Sequence, residues 1–203
     1  MAESPSRREY WNHNTQFHPE LVRAAARLGG DVLDVGCGEG LLVERLAAVS
    51  RSVTGIDPDA GAVARARERG IPGADLRVAG LDDFDPEGRR FDLVTVVATL
   101  HHLPLEPALT RLRDLVRPGG ELRVVGLARN VSPADLLWSA VTLVPTVLGD
   151  RRHGGVVDPD VGLAEPTESL ADVRSAARRV LPAARIRRGL YWCYTLTWTA
   201  PTA

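Results

Sequence analysis

The run Val32-Leu-Asp-Val-Gly-Cys-Gly-Glu-Gly40 places an acid, Asp34, beside three glycines, Gly36, Gly38 and Gly40, that flank Cys37. A second acid, Asp57, follows Gly36 after about twenty residues. Glycines at a strand-to-helix turn let the backbone approach a ligand, and an acid at the tip of the next strand can accept hydrogen bonds from ribose hydroxyls. The chemistry this predicts is adenosine binding. Turns of this kind also occur for tight packing alone. A dinucleotide loop of the G-x-G-x-x-G/A form is the rival functional reading, but it needs Gly or Ala at position 41, where this chain has Leu41. Further along, His101 and His102 are adjacent imidazoles able to act as a base or to orient a substrate, or else to cap a helix and pack. Ahead of the glycines, Tyr10, His13, Asn14 and His18 concentrate aromatic and hydrogen-bonding groups that can close a site, or serve as an aromatic staple with solvated neighbours.

These residues need elements to position them. Leu21, Val22, Ala25 and Leu28 recur at helical spacing within 17–28, and Gly29-Gly30 stops the helix. Asp31–Val35 reads as a strand leading into the glycine turn, followed by a helix over Leu41–Val49. Ser52–Ile56 is a second strand ending at Asp57, Ala60–Arg69 a helix and Asp75–Ala79 a third strand. The apolar, β-branched run Phe91–Val97 has the pattern of a central parallel strand buried on both faces. Leu105–Val116 is helical, Pro118-Gly-Gly120 a turn and Glu121–Gly126 a fifth strand. Beyond it the pattern predicts a helix over Ser132–Leu148, a loop over 149–165, a helix over Thr167–Val180, and a final strand pair at Arg185–Gly189 and Leu190–Thr199. Strands alternating with helices predict a doubly wound α/β sheet whose ligand crevice lies beyond the carboxyl ends of its strands, with a late antiparallel pair at one edge.

Composition narrows the function. At 203 residues, with 44% hydrophobic and 25% charged, the chain suits a single folded domain. A net charge of -1 supplies no global positive field, so nucleic acid is not expected as a partner. All 25 basic residues are arginine, which removes lysine Schiff-base chemistry and the phosphate-gripping lysine of P-loop enzymes. Arg174, Arg178, Arg179, Arg185, Arg187 and Arg188 are explained by solvated faces, with anion binding the alternative. The two cysteines, Cys37 and Cys193, have no metal-ligand spacing, so no metal is expected. The start of the chain shows no apolar signal region and the apolar stretch Leu136–Leu148 is too short to span a bilayer, which predicts a cytoplasmic protein without a membrane segment.

The glycine run, Gly55-Ile-Asp-Pro58, Phe91-Asp-Leu-Val94 leading to Leu100-His-His-Leu-Pro104, and Leu115-Val-Arg-Pro-Gly-Gly-Glu-Leu122, in that order, resemble the class I S-adenosylmethionine-dependent methyltransferases, specifically small single-domain bacterial members. The resemblance covers nearly the whole chain. It implies a Rossmann-like seven-stranded sheet of order 3-2-1-4-5-7-6, an N-terminal lid over 1–28, a cofactor-binding core over 31–127, and a helix, loop and hairpin over 128–203. By the same resemblance, S-adenosylmethionine is the cofactor. The loop with Gly36, Cys37, Gly38 and Gly40 runs under its methionine moiety, Asp57 takes the ribose and Pro58 lies near the adenine. Asp34 anchors the loop backbone or meets the ammonium group, a purely structural role being equally open. Gly80 stands where an adenine-contacting acid is common, which leaves Leu81 and Asp82 as candidates and Asp83 as a solvated or capping alternative. Ala98 lines the methyl-transfer channel, with His101 and His102 next along the chain, and Tyr10, His13, Asn14 and His18 fold over the cofactor. The expected activity is in-line methyl transfer to a small-molecule acceptor. A non-catalytic cofactor-binding module and, less favoured, a nicotinamide-dependent oxidoreductase are the alternatives.

Overall fold

A computed structural model describes residues 12–129, 166–189 and 193–202. A single 3-10 turn, Thr15–Phe17, leads into helix α1, His18–Leu28, which ends where Gly29 turns left-handed and its amide bonds Ala25 O at 2.8 Å. Next come β1 (Asp31–Val35), α2 (Leu41–Ala47), β2 (Ser52–Asp57), α3 (Ala60–Glu68) and β3 (Ala74–Val78). The series continues with β4 (Phe91–Val97), α4 (Leu105–Leu115), β5 (Val116–Leu127), α5 (Leu170–Val180), β6 (Arg185–Arg188) and β7 (Cys193–Thr199). The seven strands form one sheet of order β3-β2-β1-β4-β5-β7-β6. Strands β1 to β5 run parallel, and β7 lies antiparallel between β5 and β6.

The sheet is buried on both faces because its central strands alternate apolar residues between two cores. Leu33, Val94, Val96 and Leu122 face the side covered by Leu109, Leu112, Val173 and Ala177 of α4 and α5. Val32, Val53, Leu93 and Val125 face Leu21, Ala25, Val43 and Leu46 of α1 and α2. Helix starts are set by side chains competing for free amides: Asp59 accepts from the amides of Gly61 and Ala62, and Ser169 forms a capping box with Asp172. That box places the start of α5 at Leu170 rather than Thr167.

Pro118-Gly-Gly120 departs from its expected turn. The segment is drawn into the long strand β5 with a register shift against β4, and it is bonded across the sheet: Gly119 N donates to Ala200 O at 3.1 Å, and Gly120 O accepts from Ala200 N at 2.9 Å. A partner strand beyond the sequence window supplied what a turn would have supplied locally. The helix expected over Ser132–Leu148, the loop over 149–165 and the first residues of the last strand, 190–192, lie outside the described residues.

Candidate functional site

The glycine loop is held from three sides. The Ile56 carbonyl accepts from Gly36 N and Cys37 N, at 2.8 and 3.0 Å, so the end of β2 pins the start of the loop. The Asp57 carboxylate accepts from Gly38 N at 2.8 Å and, through its other oxygen, from Asp59 N at 2.9 Å. From α3, Arg65 pairs with the Glu39 side chain at 2.7 Å, and Arg69, which caps the end of α3, donates to the Glu39 carbonyl at 2.6 Å and to Glu44 at 2.8 Å. Gly36 has φ +74°, and a Cβ there would sit 2.0 Å from Thr99 Oγ1, so only glycine lets the loop pass the end of β4.

Asp34 lies at 2% exposure, in register with Thr95 of β4, whose hydroxyl donates to its carboxylate at 2.7 Å. Burial pushes this carboxyl up to about 7; the Thr95 hydrogen bond acts against the rise and the charge of Asp57 adds to it. It is therefore poised near neutral pH.

At the end of β4, Ala98 adopts a left-handed φ of +51° while its amide bonds Val125 O at 2.8 Å. For a non-glycine residue such a backbone costs on the order of 1–2 kcal/mol, and the neighbouring strand holds it. The chain then enters the 3-10 turn Leu100–His102, which brings the two imidazoles to a centroid separation of 4.1 Å with their planes tilted by 38°. His102 is exposed and His101 half-buried. The buried Nδ1 of His101 has no hydrogen-bond partner among the described residues. Burial, and next the His102 ring, lower His101 to about 4, against the opposing charge of Glu168.

The N-terminal segment folds against the same site. Asn12 accepts from the amides of Asn14 and Thr15 at 3.1 and 3.0 Å, and Thr15 Oγ1 both accepts from Asn12 N and donates to Asn12 O. His18 is buried, and Arg45 lies 2.9 Å from its Nδ1. Since arginine only donates, Nδ1 is the acceptor and the ring proton sits on Nε2. Burial, reinforced by Arg45, lowers His18 to about 3, so the ring is neutral.

These parts enclose one cavity of about 480 Å3. Asp34, Gly36, Cys37, Gly38, Asp57, Pro58, Leu81, Ala98, His101, His102, Asn14 and His18 all line it. Gly40, His13 and Asp82 do not. Gly40 faces α3, where a Cβ would meet Ala66 at 3.0 Å. Leu81 turns into the core at 3% exposure, which sends the next residue, Asp82, out to solvent. Tyr10 lies outside the described residues. Residue type and spacing do not single out Thr95, Glu39, Asn12 and Thr15, nor Arg45, Arg65 and Arg69, which together hold the walls. Thr95 carried a readable signal, a hydroxyl inside an apolar strand; the arginines carried none, because they look like any solvated helix face. Among the described residues no group of three or more His, Cys, Asp or Glu can hold a metal ion, and no helix is long and apolar enough to cross a membrane.

A family described as a methyltransferase domain matches residues 32–120. An uncharacterized methyltransferase of Mycobacterium tuberculosis is 38% identical over 197 residues, covering 94% of this chain and 98% of the relative. The ubiquinone biosynthesis O-methyltransferase of Xanthomonas axonopodis pv. citri is 41% identical over 142 residues, 66% of this chain and 59% of that one. Among solved structures, the N-methyltransferase NodS from Bradyrhizobium japonicum, in complex with S-adenosyl-L-homocysteine, aligns with TM-score 0.61 and 20% identity over 98% of this chain and 90% of its own. With the motifs, the strand order and a relative matched along almost its whole length, the chain belongs to the class I S-adenosylmethionine-dependent methyltransferases.

Proposed function

We propose that this enzyme transfers the methyl group of S-adenosylmethionine to a small-molecule acceptor. One observation supports this most: a single cavity runs from the acid-bearing glycine loop to the His101–His102 turn, and its volume of about 480 Å3 falls in the ~300–1,000 Å3 range of small-molecule sites. The likeness to ubiquinone biosynthesis O-methyltransferases points the same way.

The residues present fit the cofactor. Asp34 is a buried carboxyl that gains from a cation beside it, which suits the ammonium of the methionine moiety. Asp57 accepts one amide on each oxygen and keeps lone pairs for ribose hydroxyls. Pro58, Ala79 and Leu81 offer an apolar wall for the adenine. When bound, S-adenosylmethionine supplies an electrophilic methyl group on a positively charged sulfur.

The rest of the work belongs to the chain. The loop, clamped by Arg65, Arg69 and Asp57, fixes one reactant, and the strained end of β4 with its histidine turn orients the other. Holding both at attack distance can remove several kcal/mol of the barrier, up to about 7–11 kcal/mol in well-oriented systems. Residues 12–18 act as a lid that excludes water, within a single domain spanning the chain, at work in the cytoplasm without nucleic-acid or membrane partners. Tritium transfer from labelled S-adenosylmethionine into a pool of small acceptors, with mass spectrometry of the product, tests the proposal. A folded protein that binds S-adenosylhomocysteine yet labels nothing is a binding module, and the proposal fails.

A further inference from the structure

Strands β1 and β4 leave the sheet side by side, Val35 standing opposite Val96, so the residues just beyond them meet. On one side Gly36 opens the glycine loop, its amide tied to Ile56 O at 2.8 Å. On the other, Ala98 turns left-handed and Thr99 begins the turn Leu100–His102. The half-buried side chain of Thr99 lies in the notch that Gly36 leaves: its Oγ1, Cγ2 and Cβ stand 2.0, 2.6 and 2.7 Å from where a Cβ on Gly36 would be. Both residues line the cavity. A threonine at the start of a helical turn ordinarily turns its hydroxyl to accept from an amide further along. Thr99 makes no such cap and donates back to Val97 O at 2.9 Å, which, with the stiffness of a β-branched side chain, fixes it across the gap towards the loop. Its backbone meanwhile carries the turn: Thr99 O accepts from His102 N at 3.0 Å, and the next residue, Leu100, is anchored in the core at 1% exposure.

Resting on the methyl-transfer reading above, we propose that Thr99 is a positioning residue, a spacer wedged between the glycine loop and the turn Leu100–His102 that sets their separation and passes the ordering of the one to the other. When the loop holds cofactor, Gly36 is fixed; Gly36 confines the Thr99 side chain, and the Thr99 backbone holds the turn. The acceptor's wall is therefore ordered once the cofactor's wall is occupied. Thr99 acts through these contacts and takes no part in bond making. Its effect on rate is large because a misplacement of about 1 Å between reacting groups can cost on the order of 10²-fold. Its effect on cofactor affinity is small, because Asp34 and Asp57, which suit the ammonium and the ribose, make no hydrogen bond with Thr99. Shortening the spacer therefore separates turnover from binding.

The test uses the full chain, uniformly 15N-labelled, and follows amide hydrogen exchange with and without S-adenosylhomocysteine, so no acceptor is needed. In the parent, S-adenosylhomocysteine should raise protection of the His102 amide by at least ~5-fold. In Thr99→Ala that rise should vanish while affinity for S-adenosylhomocysteine stays within about threefold. Thr99→Ser keeps the hydroxyl that donates to Val97 O and should recover most of the rise. With tritiated cofactor at saturation and catechol, benzylamine and 2-mercaptoethanol as acceptors, Thr99→Ala should transfer methyl at least ~10-fold more slowly than the parent, and Thr99→Ser should fall between them. A rise in His102 protection that survives in Thr99→Ala overturns the spacer. So does a loss of cofactor affinity that matches the loss of rate in both variants, which marks Thr99 as packing alone. A parent that binds S-adenosylhomocysteine with no change at His102 defeats the spacer and leaves the methyl-transfer reading standing; a folded parent that does not bind it defeats that reading and the spacer together.

Discussion

Replacing Asp34 by asparagine tests the electrostatics of the site in one change. Asparagine keeps an acceptor for the Thr95 hydroxyl, now 2.7 Å from the carboxylate, but never ionises. Asp34 rises from its usual 3.8 to about 7 on folding, chiefly through burial. A carboxyl whose folded pKa lies above its unfolded one remains protonated in the native state after the unfolded chain has ionised. Unfolding then releases a proton, and stability falls as pH rises across the window from about 4 to about 7, becoming flat above it. At about 1.4 kcal/mol per unit, the cost to the cofactor-free parent above pH 7 reaches an upper limit of ~4 kcal/mol. Asp34→Asn removes that cost, so it should gain up to roughly 8–16 °C in Tm over the parent near pH 8 relative to its standing near pH 4. Cofactor affinity should move oppositely: the parent's should climb as pH rises towards about 7 and Asp34 ionises beside the ammonium, while the variant's stays low and level. Melting curves from about pH 4 to pH 8, with calorimetric titration of S-adenosylhomocysteine at the same points, read both effects. A Tm difference between parent and variant that is the same at every pH would falsify the view that Asp34 is held protonated by burial.

Asp57→Ala leaves the Gly38 and Asp59 amides and the ribose without their charged acceptor, so S-adenosylhomocysteine affinity should fall by the equivalent of ~1.5–3 kcal/mol in calorimetry, and unchanged binding would put the ribose elsewhere. His101→Ala should lower single-turnover methyl transfer at saturating cofactor by roughly 10²–10⁴-fold, with the exposed His102→Ala costing much less; parent rates in both variants mean that catalysis rests on positioning alone. Arg69→Met removes the donor to the Glu39 carbonyl, which should weaken cofactor binding and lower Tm together, whereas loss of Tm alone would show that the clamp is structural. Deleting residues 1–18 should leave a folded core with impaired cofactor retention, and full affinity and rate in the truncated chain would rule out a lid.

The parts of the fold that follow local rules were legible in the amino-acid order. Period-two and continuous apolar runs marked the strands, and the boundaries of β1 and β4 coincide with Asp31–Val35 and Phe91–Val97 because both strands are buried on both faces and their apolar runs end where burial ends. The glycine loop and Asp57 were equally legible, since positive φ and a strand-tip acid demand particular residue types. Tertiary structure decided what depends on partners distant in sequence. Pro118-Gly-Gly120 reads as a turn until Ala200 arrives to bond it into β5. Asp34 and Thr95 meet only through the β1–β4 register, and burial within the assembled sheet, against the pull of the Thr95 hydrogen bond, makes an ordinary aspartate an acid near neutrality. Asp82 and Leu81 were equal candidates in the sequence; the turn after β3 sent one to solvent and the other into the core and cavity wall. Arg69, on an exposed-looking stretch, carries no mark in the sequence, because a charged residue's role is set by what folds against it, and burial and charge pairing are properties of the assembled sheet rather than of the chain.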